Sequence, residues 1–449
     1  MRKILGILLI ALILAISVFA QIKVPKLELK QRTLSNGMKI VTHRDTSSPS
    51  VAIHVWYDVG GKNDPPGKSG FAHMFEHMMF KSTKNMPNEK MDRLTEDVGG
   101  FNNASTWDDF TNYYEVVPAN HLEVLLWAEA ERMQNLNVDQ TNYNSEKEVV
   151  KEEFRQGVLA NPYGRFFEFI GNLSFQQHPY KRGVIGNLDE LNAASIDDAN
   201  NFYKTYYRPD NATLIVVGDF EQSQLDTWVE KYFARIPKPS GSIPRVTVKE
   251  SAWTKERRYE KFAPIVPFPA VAIIFQSPPS NSPDIPALKV AETILSGGES
   301  SRLYQELIYK QQIAQEASFS VDLKIDGGLL QFVGIGAEGS SSAKLEKSLL
   351  SELKKIQTSG VTAKELAKAK NQMIAGKIRA LEDNDGKAIA IERAMIYQGN
   401  ADAVNNEVQQ LQTVTAADVQ RVLKKYLAEN NRVVIYYNQE KGGSDAAKK

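Results

Sequence analysis

Two runs near the start of the chain, Met38–His43 and Val51–Tyr57, alternate apolar and β-branched positions with polar ones. Such alternation gives a strand one face for a core, and the runs read as a pair of strands joined by a turn at Asp45–Pro49. Gly60–Gly67 is a loop, after which the spacing becomes helical through Ser69–Phe80. Asn88–Val98 is a second amphipathic stretch, stopped by Gly99 and Gly100. Phe101–Pro118 returns to a β pattern. Its polar, small-residue beginning suits an edge strand, whose free backbone groups can take up an extended peptide.

Further on, Ser145 and Glu148 have the spacing of a capping box, predicting a helix over 145–156. Ser195–Tyr207 predicts another helix, Ala212–Gly218 a strand, and the proline-rich Pro237–Pro244 a linker. The second half then echoes the first. Leu191–Val217 aligns without gaps to Leu411–Tyr437, with Ser195 matching Thr415 as N-cap and Asp198 matching Asp418. The pattern predicts an α+β chain of two tandem homologous domains, residues 25–240 and 245–440, each a mainly antiparallel sheet covered by helices. Ser342–Gln357 and Thr362–Ala380 are charged helices over the second sheet, and 441–449 is a polar tail.

Composition narrows the chemistry. Lysine plus arginine equals aspartate plus glutamate, so no basic surplus points to nucleic acid. There is no cysteine, which excludes disulfides, thiolate metal sites and cysteine nucleophiles; a metal site must use histidine and carboxylate. The first twenty residues have a basic start, an aliphatic run from Ile4 to Ile16 and small residues ahead of Ala20. They read as a secretory signal cleaved after Ala20, with an uncleaved anchor as the alternative, and predict an exported, periplasmic or secreted protein with no stable membrane anchor.

The candidate chemistry lies in Ser69–Phe80. At about 100° per residue, His73 and His77 lie about 40° apart on one helical face, and Glu76 flanks His73 by about 60° on the other side. Two neutral imidazoles at that spacing can bind one zinc ion, and a neighbouring carboxylate can take a proton from the attacking water. The chain has six histidines and none after His178, so the second domain cannot rebuild this pair and one zinc per chain is expected. In 145–156, Glu146, Val149, Val150 and Glu153 share a stripe. Carboxylates beside valines call for a cation, which makes Glu153 the third ligand and Glu146 a supporting carboxylate. Standing alone, the same stretch would read as a solvated acidic helix. In the second domain Arg302 and Tyr309 are seven apart, on one face, and could hold a peptide carbonyl or carboxylate.

These residues resemble the pitrilysin-type (M16, inverzincin) zinc metallopeptidases, which include insulin-degrading enzyme and the mitochondrial processing peptidase. The family's H-x-x-E-H is present as His73-Met-Phe-Glu-His77, and its downstream pair of glutamates as Glu146 and Glu153. Asn103-Ala104 is similar to the family's substrate edge strand, and Arg302 with Tyr309 to its arginine–tyrosine pair. The resemblance implies Zn2+ on His73, His77 and Glu153, Glu76 as general base, and a peptide substrate. It also implies a chamber closed by two half-enzymes, so a homodimer or a heterodimer with a sister subunit is expected. The competing expectation is a non-catalytic scaffold subunit of the same fold.

Overall fold

The structure, a computed structural model, describes residues 24–440; the signal segment 1–20 and the tail 441–449 lie outside the described residues. Two sheets follow one another along the chain. The first contains β1 (Lys30–Thr33), β2 (Lys39–Arg44), β3 (Ser50–Tyr57), β4 (Phe101–Thr106), β5 (Thr111–Pro118) and β6 (Ala212–Gly218), in the order β1-β2-β6-β3-β5-β4. The expected strands β2 and β3 are present but are not paired with each other. β6 lies between them, parallel to β2 and antiparallel to β3. The reason is burial: every residue of β6 is buried, and so apolar a strand takes an interior place that β1, short and polar, cannot fill. The β segment expected over 101–118 is a hairpin, with β4 as the outer strand of the sheet.

The second sheet contains β7 (Arg257–Ala263), β8 (Ala270–Gln276), β9 (Ala314–Asp322), β10 (Leu329–Gly336) and β11 (Arg432–Gln439), in the order β7-β11-β8-β10-β9. Its topology repeats that of β2-β6-β3-β5-β4, including the one parallel pair, β7 with β11. Ser195 and Thr415 both close capping boxes, with Asp198 and Asp418. The fold is α+β, as the pattern predicts.

One face of the first sheet packs on its own helices, including the apolar side of the helix Phe71–Met78. The other face is covered from the second half. Ala388, Ile391 and Ala394 of the helix Asn384–Gln398 pack against Val41, Ala52 and Ile215. The converse also holds. Phe166 and Ile170 of the helix Gly164–Ser174 pack against Val433, Ile435 and Tyr437 of the second sheet. The two crossing helices hold corresponding places in the repeat, each following the long helix that precedes it, Gln140–Phe154 in one half and Ala363–Ala380 in the other.

One helix start is corrected. The expected capping box at Ser145 is absent: the helix begins at Gln140, with the Asp139 side chain accepting from Asn142 N at 2.9 Å. Asp139, six residues upstream, already serves the first turn, so Ser145 sits mid-helix and donates to Glu146 Oε1 at 3.0 Å.

Candidate active site

The helix Phe71–Met78 buries Phe71, Ala72, Met74, Phe75 and Met78, leaving His73, Glu76 and His77 on its open side. Its N-cap is Gly70 at φ +92°, a conformation glycine adopts without strain, but glycine brings no capping side chain. Asp64 supplies the missing acceptors from the preceding loop. Its buried carboxylate accepts from Gly70 N at 2.6 Å and from Ala72 N at 2.9 Å. Burial pushes this carboxyl up, the amides of Ala72 and Gly70 and the charge of Arg182 pull it back, and it settles at about 7.

The two imidazoles lie edge to face with ring centres 4.9 Å apart. From the helix Gln140–Phe154, Glu153 Oε2 stands 3.5 Å from Nε2 of both His73 and His77. Among the described residues, these three form the group of histidine and acidic side chains whose ligand atoms converge, all within 4.8 Å of one another. The shared stripe on that helix is narrower than expected. Val150 and Glu146 are buried, whereas Val149 is exposed.

Glu146 takes a different position. Its Oε2 is 3.6 Å from His77 Nδ1, and its Oε1 accepts from Lys81 Nζ at 2.7 Å. Burial opposes its charge, but contacts with His77, Lys81 and Ser145 hold it below the usual carboxylate range. A carboxylate facing Nδ1 keeps the proton on that nitrogen and leaves the Nε2 lone pair toward Glu153. His77 accordingly titrates above its ordinary value despite burial, through Glu146, Glu153 and Glu76. Burial, with His77 alongside, drives His73 down to about 4, so it is neutral near pH 7. Two imidazoles and a carboxylate in this arrangement fit a zinc ion, with no thiolate required.

Glu76 is raised by burial, against a hydrogen bond from Thr106 Oγ1 to its Oε2 at 2.6 Å. Thr106 belongs to β4, the same outer strand that carries Asn103 and Ala104. There Ala104 N donates to Asn103 Oδ1 at 2.8 Å. Spacing alone did not single out Thr106, although strand alternation places it on the face of Ala104, turned toward the histidine helix. Asp64 and Lys81 carried no comparable sequence signal.

Arg302 and Tyr309, expected on one α-helical face, are separated by a different winding and have different surroundings. Residues Tyr304–Lys310 form a π-helical turn, whose wider i→i+5 winding breaks the seven-residue alignment. The Arg302 guanidinium is bound by both oxygens of Glu365, at 2.6 and 2.9 Å, and by Gly360 O at 3.2 Å, while the Tyr309 ring is exposed. A cavity of about 550 Å³ lies between the two halves beside β4, bordered by Trp107, Tyr114, Lys289, Arg393 and Tyr397. The histidine cluster is not on its lining and is itself half-buried.

Two repeated α+β units, with a His-x-x-Glu-His helix in the first and a glutamate converging on it from a neighbouring helix, are the architecture of a peptidase family. The chain belongs to the M16 peptidase family. Residues 39–187 match the model described as Insulinase (Peptidase family M16), and residues 193–373 match the Peptidase M16 inactive domain. The second description concerns the part that begins after the last histidine. A zinc protease PqqE from Helicobacter pylori is 29% identical over 439 residues, spanning 97% of this chain and 98% of that protein. The crystal structure of a protease from the same organism superposes with a TM-score of 0.89 at 28% identity, covering 92% of this chain and 100% of the other. The periplasmic protease PqqL from Escherichia coli shares the fold at 18% identity and a TM-score of 0.75, with 93% of this chain matching 48% of that one.

Proposed function

We propose that the protein is an exported zinc-dependent endopeptidase that cleaves peptides or unfolded segments inside a chamber formed by two facing half-enzymes. The observation that carries this reading is the convergence of His73, His77 and Glu153 beside a Glu76 held by the outer strand. Zinc bound by those three side chains would supply a Lewis acid for the scissile carbonyl and make the attacking water more acidic. Glu76 accepts the water's proton and passes it to the leaving nitrogen, a role suited to a carboxyl raised above its usual range. Thr106 keeps one Glu76 oxygen fixed, leaving the other for the proton transfer. Glu146 fixes the His77 ring. A substrate laid antiparallel or parallel to β4, along Asn103 and Ala104, would lie beside Glu76.

The chamber reading is supported by the half-buried cluster beside the outer strand β4 and by the Escherichia coli neighbour, about twice this length. A pair of identical chains, or this chain with a sister subunit, would enclose the site, and Arg302 and Tyr309 would then meet substrate only after Arg302 leaves Glu365. Export rests on residues 1–20; among the described residues no helix is long and apolar enough to cross a membrane. The non-catalytic scaffold reading draws on the word "inactive", which applies to residues 193–373 and not to the cluster. Glu76→Gln separates the two. It should keep one zinc per chain and lose peptide cleavage by at least about a hundredfold. Full activity in that variant, or no bound zinc in the wild type, would sink the peptidase reading.

A further inference from the structure

The histidine helix is short, and its own sequence gives it no capping side chain. Its N-terminal amides are served from six residues upstream, by Asp64 at 2.6 and 2.9 Å. The segment that carries Asp64 is itself fastened at two further points. Gly61 N and Lys62 N donate to Trp107 O and Asp108 O, each at 3.0 Å, which ties it to the turn after β4. Lys62 is buried, and its Nζ reaches Asp109 Oδ1 at 2.7 Å and Asp326 Oδ2 at 3.4 Å. Asp326 lies in the β9–β10 turn of the second half. The other Asp109 oxygen accepts from Ile325 N at 2.9 Å, again from the second half.

A buried ion pair is weak as a source of stability, because the cost of removing both charges from water offsets their attraction. Here it fixes a short rigid path from the second half to the start of the ligand helix. We propose that residues 61–64 act as a strut through which the second, histidine-free half sets the position of His73 and His77, with Asp64 as the positioning residue at its catalytic end. Asp64 touches no reacting atom. It works by holding two backbone amides, and so the height and rotation of the helix that offers both imidazoles. The second half then contributes to the metal centre without supplying a ligand to it. The kinetic consequence rests on the peptidase reading; the structural one does not.

Hydrogen exchange of the full chain stripped of metal tests the strut directly. In Asp64→Asn, where a donor replaces one acceptor, amides of residues 70–74 should exchange about tenfold faster or more, with β3 and β6 unchanged. Zinc affinity, read by competition with a chromophoric chelator, should fall about tenfold or more. Asp326→Asn, in the other half, should shift both readings the same way by a smaller factor. The double variant should lose less than the product of the two, because both act through one path. In the zinc-loaded protein, kcat for a cleavable peptide should fall while KM holds, since β4 is untouched. Unchanged exchange at 70–74 in Asp64→Asn, or exchange raised throughout the first sheet, would overturn the positioning role. Wild-type readings in Asp326→Asn would overturn the link to the second half. An active Glu76→Gln enzyme would defeat the peptidase reading and leave the exchange result standing.

Discussion

Glu146 shows how much a single buried carboxylate can decide. It lies between His77 Nδ1 and Lys81 Nζ, so it selects the imidazole tautomer and is itself neutralised from the far side. Glu146→Gln removes the charge that holds the proton on Nδ1. Zinc affinity measured by chelator competition should drop about ten- to a hundredfold, with the helix content by circular dichroism unchanged. At this scale the sequence was informative wherever the relation was local. His73, Glu76 and His77 are set by helical spacing, and Glu146 and Glu153 sit seven apart on a second helix. Thr106 and Asp64 were not legible, because each matters through a contact made across elements. For Arg302 and Tyr309 the spacing rule of an α-helix does not carry over, because the chain between them is wound more widely.

Between elements, the least expected contact is the one made by His54 in the middle of β3. It is fully buried, Nδ1 at 2.9 Å from Glu392 and Nε2 at 3.0 Å from Asp385, both on the crossing helix Asn384–Gln398. The Tyr114 ring stacks beside it. Burial alone would lower its pKa, but the two carboxylates outweigh that and raise it to about 9. A base whose folded pKa exceeds its unfolded value of about 6.5 stabilises fully below that value, and the contribution is lost as pH rises through about 9. The interval corresponds to an upper bound of about 3 kcal/mol. Urea unfolding should therefore show stability falling between about pH 6.5 and 9, with a flatter profile for His54→Gln. Sequence patterning found β2, β3 and β6 but not their order, since alternation says which face a strand buries and nothing about its neighbours. The start of the Glu153 helix was shifted because Ser145 and Glu148 have capping-box spacing inside a helix already capped by Asp139.

Across the whole molecule, the repeat read from Leu191–Val217 and Leu411–Tyr437 extends to strand order, yet among the described residues the converging histidine–glutamate cluster is confined to the first copy. The crossing helices were invisible to that alignment. A helix with one apolar face reads the same whichever sheet it covers, and nothing in its own residues says that the sheet belongs to the other copy. Because Gly164–Ser174 roofs the second sheet and Asn384–Gln398 the first, the two halves exchange equivalent parts. A protease cut in the exposed Ser240–Ser242 segment should then leave both fragments co-eluting on gel filtration, with zinc still bound. Fragments that part without denaturant would contradict the exchange.

That exchange bears on how such a chain can be inherited and built. Residues 24–240 made alone would leave one sheet face bare and carry a helix with an orphaned apolar side, so the first copy is no transplantable module. Each copy supplies a helix that closes the other's sheet. Losing the second copy, although it holds no histidine, would cost the first its back wall.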